Sequence, residues 1–217
     1  MALDGKSNAV FTILEEDGRP VSSQLQTGYN FMDEPIQQTR FHDDYLQWKI
    51  GKLKENLYTH KYGYYECRCK MQENAAWWSA FWIQSPTIGA SLDAGETGSE
   101  IDIMECFKPG VVHPHNVFTG GYGLDMKHEK VGGGTEVGVD EFHRYGLLWD
   151  ENGYTFYVDG KEDGHIDKHV SHRPEFILIS TEVKGYRYED HQPVKEAFDA
   201  IGKDAFVVDY VRVFDVK

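Results

Sequence analysis

Three carboxylates, Glu100, Asp102 and Glu105, lie inside an otherwise apolar run from Ser99 to Phe107. The run has the composition of a buried strand, where acids are rare unless they bind or pair with something. Like charges held close together cannot all ionise at neutral pH, so at least one carboxyl group keeps its proton. An ionised carboxylate beside a protonated one is the arrangement that acid-assisted cleavage of a glycosidic bond requires.

The spacing of the three acids predicts an irregular strand. Side chains alternate between the two faces of a strand, so Glu100 and Asp102 share one face while Glu105 would enter the core. An unpaired carboxylate in the core is very costly. One extra residue at Ile103 or Met104, a β-bulge, returns Glu105 to the acidic face, and we predict that bulge. A solvated acidic edge or a calcium site is the alternative interpretation of the acidic motif alone.

Further segments flank the acidic strand in a fixed order. They are Tyr62–Arg68, Trp78–Trp82, Phe142–Tyr145 with Trp149, Phe156–Gly160 and Val208–Phe214. Together with the acidic strand they resemble the signature segments of glycoside hydrolase family sixteen. The acidic motif is similar to the bulged form found in laminarinases and galactan hydrolases. The resemblance covers most of the chain, although the family's usual W-x-D-E-F opening strand has no counterpart here.

The resemblance implies an all-β fold, a concanavalin-like β-jelly-roll sandwich of two antiparallel sheets with a concave substrate groove. The sequence supports this independently, because it contains many alternating strand patterns and almost no helical periodicity. A chain of 217 residues suits one domain, so we expect a single catalytic domain over residues 1–217. We predict the glycine-rich stretch Tyr122–Thr135 as a loop, and strands at Gln37–Arg40 and Tyr45–Leu53.

The function implied by the resemblance is that of a retaining endo-glycoside hydrolase acting on internal β-linkages of a polysaccharide. The expected substrate is β-1,3-glucan or mixed β-1,3/1,4-glucan. In a double displacement, Glu100 would attack the anomeric carbon, Glu105 would act as acid and then base, and Asp102 would support Glu100. The alternatives are a β-galactan hydrolase of the agar, porphyran or carrageenan type, a transglycosylase, and a non-catalytic lectin-like carbohydrate-binding module.

Sugar-binding residues are expected on three other strands. Glu66 and Arg68 share one strand face, and the matching residues of related enzymes contact sugar; a surface ion pair is the alternative. His115 and Asn116 are expected to line the site from the strand beside the acidic one. Glu182 is expected in the cleft because it alternates with core residues.

Trp77, Trp78 and Trp82 belong to a segment that is too apolar to be exposed to solvent throughout. Consecutive side chains point oppositely, so Trp77 and Trp78 cannot both be buried in the same way. We predict that Trp77 or Trp78 stacks on sugar in the cleft and that Trp82 lies in the core.

Composition limits the partners and cofactors. A net charge of −14 argues against nucleic acid, and no apolar run approaches the roughly 18 residues that span a bilayer. We therefore expect no nucleic-acid and no membrane contact, and the resemblance implies a polysaccharide partner; we also expect a monomer. No cofactor is expected to be required, although Asp209 resembles a position that holds structural calcium in relatives. The resemblance suggests secretion, but Met1–Val10 is too polar for a leader. Cys67 and Cys69 suit buried free thiols.

Overall fold

The computed structural model describes residues 2–3, 8–29, 55–88, 92–120 and 126–216. Two large antiparallel sheets dominate these residues, as predicted, and elements are numbered in chain order. The seven-stranded sheet runs in the spatial order β1 (Ala2–Leu3), β2 (Ala9–Phe11), β15 (Phe206–Phe214), β6 (Gly63–Lys70), β11 (His143–Trp149), β12 (Tyr154–Val158), β13 (Lys161–Ile166). The six-stranded sheet runs β10 (Lys127–Val131), β9 (His115–Thr119), β8 (Glu100–Cys106), β7 (Trp77–Gln84), β14 (Phe176–Val183), β5 (Gln24–Gln26).

Small elements complete the described fold. They are the hairpin β3 (Leu14–Glu16) and β4 (Arg19–Val21) and the short helices α1 (Ala94–Thr97) and α2 (Lys195–Ala200). No helix within these ranges is long and apolar enough to cross a bilayer. The strands predicted at Gln37–Arg40 and Tyr45–Leu53 lie outside the described residues.

The core lies between the two large sheets, because each sheet turns one apolar face inward. Tyr65 and Cys67 of β6 join Trp77 and Phe81 of β7 in one buried cluster. Trp149 belongs to the same cluster. Full burial of one such side chain stabilises the fold by roughly 1.5–3 kcal/mol, so this interface holds the sheets face to face. The thiols of the buried cysteines, Cys67, Cys69 and Cys106, are free, which confirms the prediction for the first two.

The predicted β-bulge is present in β8. Phe81 of β7 lies opposite Met104, whereas the next residue, Trp82, lies opposite Asp102, so Ile103 is the extra residue. Ile103 and Met104 are both fully buried in the core cluster. The insertion reverses the alternation after Asp102, and Glu105 consequently returns to the outer face of the sheet.

A glycine fixes the entry of the chain into β8. Gly98 has φ +84°, and a Cβ atom there would lie 2.1 Å from the Cβ of Ser85. Only a residue without a side chain fits this close approach. The chain then returns beside β7, where the Ser85 N–H donates to the Ser99 carbonyl at 3.0 Å.

Two strands were not predicted from the sequence. β10 runs through the stretch Tyr122–Thr135, which was predicted as a loop, and it pairs with β9 along the sheet edge. Its residues Lys127–Val131 are mostly polar and exposed, so they lack the apolar alternation of a half-buried strand. β13 likewise begins with exposed residues directly after the Asp159–Gly160 turn.

Candidate active site

The outer face of the six-stranded sheet carries the three acids on β8. Glu100 lies opposite Gln84 of β7, and Asp102 lies opposite Trp82 on the same strand. Glu105 lies opposite Ala80, towards the carboxyl end of β8. The sheet order places β8 between β7 and β9, so neighbouring strands supply side chains on both sides of the acids.

Amide side chains hold the two glutamates. The Gln84 Nε2 donates to Glu100 Oε2 at 2.6 Å. The Asn116 Nδ2 donates to Glu105 Oε2 at 2.8 Å, and Asn116 Oδ1 accepts from His128 Nε2 at 2.7 Å. Asn116 therefore lies on the face where it was expected. The amides orient both carboxyl groups without adding positive charge.

Burial and mutual repulsion raise the pKa values of two of the three acids. Burial raises the pKa of Asp102 well above its usual value, and the negative charges of Glu105 and Glu100 raise it further. Burial also raises the pKa of Glu105 to about 8, with the charge of Glu100 as the second cause. At neutral pH, Glu105 therefore holds a proton.

A cation and two aromatic rings lie towards the Glu105 end of this face. Arg187 donates from Nε and Nη2 to the two carboxylate oxygens of Glu182 at 2.6 and 2.5 Å. Its guanidinium carbon lies 5.4 Å from the centre of the Trp78 ring, and that ring lies 5.0 Å from Phe107. Glu182 is thus on the predicted face. The charge of Arg187 lowers the pKa of Glu105 and so partly opposes the effect of burial.

The Glu100 end of the face is more apolar. Trp82 forms a small buried cluster with Ala80, Phe176 and Leu178. Its indole Nε1 donates to Ser180 Oγ at 2.9 Å. The prediction that Trp82 lies in the core was therefore right about burial and wrong about location, because Trp82 shares the acidic face instead of lying between the sheets. Strand alternation groups Trp82 with Trp78 and Ala80 on one face but does not show which face is exposed to solvent.

Trp77 is not in the cleft. Its side chain is fully buried in the main core cluster, and its Nε1 donates to Asp204 at 2.9 Å. Of the two tryptophans, Trp78 is the one on the acidic face, where it is half-buried opposite Glu182.

Glu66 and Arg68 were predicted in the cleft, and this prediction is wrong. Both lie on β6, which belongs to the seven-stranded sheet, and their side chains point to the outer face of that sheet. The inward-facing partners on β6 are Tyr65, Cys67 and Cys69, which are fully buried. The alternation was read correctly, but alternation does not reveal which sheet a strand joins.

His115 was expected to line the site, and the structure contradicts this. The ring is 1% exposed and stacks on Phe156 at 4.4 Å, so it points into the core beneath the acidic face. Its Nδ1 lies 2.8 Å from the Ile103 carbonyl oxygen and its Nε2 lies 3.1 Å from Asp163 Oδ2.

The calcium ion suggested at Asp209 is not supported by its surroundings. The Asp209 carboxylate lies 2.6 Å from the guanidinium of Arg68, and a cation so close disfavours a second positive charge. Among the described residues, no three or more His, Cys, Asp or Glu side chains come together as metal ligands would. Calcium at this position stays a prediction.

Sequence reasoning missed three residues of the site: Gln84, His128 and Arg187. Gln84 shares strand parity with Trp82, so assigning Trp82 to the acidic face would have found it. His128 lies on β10, which was not recognised as a strand. Arg187 comes from the charged loop after β14, and loop residues carry no periodicity that would indicate their direction.

The sequence is similar to glycoside hydrolases of known family. A family model described as "Glycosyl hydrolases family 16" matches residues 24–181. A xylanase/beta-glucanase from Ruminococcus flavefaciens is 32% identical over 133 residues, which is 60% of this chain and 15% of the relative. A glucan endo-1,3-beta-glucosidase A1 from Niallia circulans is 25% identical over 166 residues, covering 71% of this chain and 22% of the relative.

Solved structures share the fold. A family 16 protein from the Bacteroides ovatus mixed linkage glucan PUL, in complex with a G4G4G3G product, superposes with a TM-score of 0.64 at 18% identity. The match covers 99% of this chain and 84% of that one. The jelly-roll architecture expected from the sequence is therefore confirmed. Because the chain spans only 15% and 22% of the two curated relatives, the single-domain organisation stays a prediction.

Proposed function

The chain belongs to glycosyl hydrolase family 16, and from that premise we propose that it cleaves internal β-linkages of β-1,3-glucan or mixed β-1,3/1,4-glucan. One observation carries the proposal: Glu100, Asp102 and Glu105 share the outer face of one sheet, and the pKa of Glu105 is raised to about 8. The relatives support the choice of substrate, because their names specify a beta-glucanase and a glucan endo-1,3-beta-glucosidase.

The proposed reaction is a double displacement. Glu100 attacks the anomeric carbon, while Glu105 donates its proton to the departing glycosidic oxygen. A covalent glycosyl-enzyme results, and Glu105, now ionised, takes a proton from the water molecule that releases the sugar. The two attacks occur on opposite faces of the anomeric carbon, so the product keeps the β-configuration of the substrate.

Asp102 supports Glu100 in this scheme. Its raised pKa keeps a proton on Asp102, because burial and two neighbouring carboxylates oppose ionisation. A protonated carboxyl group can donate a hydrogen bond to its neighbour, and that bond would stabilise the charge of Glu100 before attack. The bond weakens while Glu100 is an ester and strengthens again as negative charge returns to Glu100 in the second step. Asp102 therefore also helps Glu100 to depart from the sugar.

We assign the leaving part of the glucan chain to the Glu105 end of the face. The proton donor must lie near the departing oxygen, and the half-buried Trp78 lies on that side. An indole face stacks on the C–H groups of a pyranose ring, while Glu182 and Arg187 present planar polar groups to hydroxyls. Asn116, beside Glu105, is placed to contact the sugar at the cleavage point.

A substrate screen tests the proposal. The purified protein is incubated with laminarin, lichenan, agarose, porphyran and carrageenan, and new reducing ends and viscosity are measured. We expect cleavage of laminarin or lichenan, with viscosity falling before short sugars accumulate, as internal cleavage requires. Proton NMR of the first products should show the β-anomer before mutarotation.

Other outcomes would contradict the proposal in distinct ways. Cleavage restricted to agarose, porphyran or carrageenan would replace the glucan by a β-galactan. An α-anomer formed first would exclude the double displacement. Retardation of the protein in a glucan-containing native gel, without any new reducing ends, would indicate a lectin-like binding module.

A further inference from the structure

The regular pairing between β8 and β9 ends at the β-bulge. The two strands pair from Glu100 to Asp102, opposite Phe118 to Asn116. The next carbonyl belongs to the bulged Ile103, and the His115 ring lies against it, with Nδ1 at 2.8 Å. A side chain thus reaches a backbone carbonyl at the point where the regular ladder stops.

The ring that reaches this carbonyl is itself held on two sides. It is sandwiched in the core against Phe156 of β12, with ring centres 4.4 Å apart and planes 8° from parallel. Its Nε2 lies 3.1 Å from Asp163 Oδ2 on β13. Both contacts come from the seven-stranded sheet, so the His115 ring links that sheet to the catalytic strand.

Asp163 is fixed in turn by the segment that follows β10. The Thr135 hydroxyl donates to Asp163 Oδ1 at 2.6 Å, and the Gly133 N–H donates to Oδ2 at 2.8 Å. Gly133 has φ +81°, and a Cβ atom there would lie 2.4 Å from the Pro114 nitrogen. The close approach needs glycine, and it brings the donors to the carboxylate.

We propose that His115 is a positioning residue that holds the Ile103 carbonyl through Nδ1–H, and so fixes the bulge that places Glu105 beside Glu100. Nδ1 and Nε2 both face acceptor oxygens, so the ring makes both bonds only when each nitrogen carries a proton, and Asp163 then accepts from Nε2–H. The proposal rests on the proposed hydrolase function for its effect on turnover. The bond itself, in contrast, is a structural claim that can be measured without substrate.

Three variants separate this role from core packing. His115→Phe fills the same space and removes the donor, whereas His115→Asn keeps an amide N–H near the position of Nδ1. Val117→Ala is the matched control, because Val117 is buried on the inner face of the same strand and lies opposite Ile101, outside the bulge.

We expect His115→Phe to lower kcat by about tenfold to 100-fold with KM within about threefold, since a displacement near 1 Å at the reacting groups has costs of this size. His115→Asn should recover most of that kcat. Val117→Ala should lower the melting temperature and leave kcat nearly unchanged. Equal kcat values for His115→Phe and Val117→Ala, or no recovery in His115→Asn, would overturn the proposal.

The pH profile gives a second readout that a packing defect would not move. The titratable and charged groups around Glu105 are Glu100 and Asp102 on β8, Glu182 and Arg187, and the ring of His113, whose Nδ1 lies 3.7 Å from Glu105 Oε2. If the bulge relaxes in His115→Phe, Glu105 moves away from Glu100 and into more water. The basic limb of kcat/KM should then shift to lower pH in His115→Phe and stay in place in Val117→Ala.

Two measurements without substrate separate failure of this inference from failure of the proposed function. The ¹⁵N chemical shift of His115 in the intact protein should show a protonated Nδ1; an unprotonated Nδ1 would overturn the proposed bond. The His113 amide donates to the Glu105 carbonyl at 2.9 Å, just beyond the bulge. Its hydrogen exchange should accelerate in His115→Phe more than in Val117→Ala, and equal exchange would count against the role of His115.

Discussion

The outer faces of the two sheets carry carboxylates in similar sequence contexts but in different surroundings. On the seven-stranded sheet, Glu66 alternates with the buried residues of β6, and on the six-stranded sheet Glu100 and Asp102 alternate with the buried residues of β8. Glu66 accepts hydrogen bonds from two tyrosine hydroxyls, those of Tyr64 at 3.3 Å and Tyr210 at 2.7 Å.

Cations are distributed differently over the two faces. On the seven-stranded sheet, Arg68 pairs with Asp209 at 2.6 Å, and both side chains are more than a third exposed, so water screens the pair. On the six-stranded sheet, Arg187 is held by Glu182, and Glu100 and Glu105 accept from amides instead. The first arrangement neutralises charge, whereas the second orients carboxyl groups and leaves one of them charged.

This difference shows what separates a reactive face from a merely polar one. A buried carboxyl group without a cation is costly to ionise, and the cost appears as the raised pKa values of Asp102 and Glu105. A fold retains such a cost where the protonation states are useful. Strand alternation is the same on both faces, so burial and the type of hydrogen-bond partner carry the distinction.

The largest expected effect is the loss of turnover in Glu100→Gln. The amide cannot attack the anomeric carbon, so we expect kcat to fall on the order of 10⁴-fold or more, while binding of the glucan stays within about threefold. Turnover is measured by reducing ends and binding by calorimetry.

Glu66→Gln is the matched change on the other sheet. It makes the same replacement on a polar face that lies across the core from the site, so kcat should stay within about twofold. A comparable loss of kcat in both variants would abolish the proposed contrast between the two faces.

A smaller loss is expected for Glu105→Gln, and it depends on the leaving group. General acid catalysis contributes about 10²–10⁴-fold, so polysaccharide cleavage should fall by that factor. An aryl glycoside with an acidic phenol departs without protonation, and its first step should be much less affected.

The pH profile identifies the acid directly. Glu105 must be protonated to donate, and its pKa is raised to about 8, so kcat/KM of the wild type should fall as pH rises through that value. With the aryl glycoside, Glu105→Gln should lack this basic limb. A basic limb that persists in Glu105→Gln would assign the proton donor to another group.

Much of the site could be predicted from the acidic strand alone. The cost of burying the Glu105 carboxylate predicted a bulge near Ile103, and the structure has the bulge there. The prediction succeeded because alternation and desolvation are local properties of one strand. Glu182 and Asn116 were also placed on the correct face. These predictions succeeded because each concerned a strand that enters the six-stranded sheet next to or near β8.

Predictions failed where long-range pairing decided the outcome. Glu66 and Arg68 alternate as correctly as Glu182 does, but β6 pairs with β11 and β15, and no local pattern reveals those partners. His115 failed for a local reason. Consecutive side chains of a strand point to opposite faces, so His115 and Asn116 cannot both line the site, and Asn116 is the one that contacts Glu105.

Glu175 tests whether burial alone raises a carboxyl pKa away from the catalytic face. It is fully buried just before β14 and accepts from the Ser99 N–H at 3.1 Å, and burial raises its pKa to about 8. Between its unfolded pKa near 4.5 and this value, the folded protein binds the extra proton. The free energy of unfolding should therefore fall as pH rises through that window.

Glu175→Gln should remove this part of the pH dependence. Each pKa unit corresponds to about 1.4 kcal/mol, so the change between pH 5 and pH 8 should be a few kcal/mol smaller than in the wild type. Urea unfolding at several pH values measures it, and Glu15→Gln, a change at an exposed side chain, is the control. An unchanged pH dependence in Glu175→Gln would show that Glu175 is ionised in the fold.

The smallest effect is expected at the ion pair of the seven-stranded sheet. Arg68→Ala removes the partner of Asp209 at the surface, and exposed pairs contribute about 0–1 kcal/mol, so the free energy of unfolding should fall by no more than that. The loss should shrink in 0.5 M salt, because water and ions screen an exposed pair. Turnover on the glucan should match the wild type; a tenfold loss would place Arg68 in contact with substrate and reverse the assignment of the two faces. Asp209→Asn is the matched control, since it breaks the same pair from the other side and should give the same small loss.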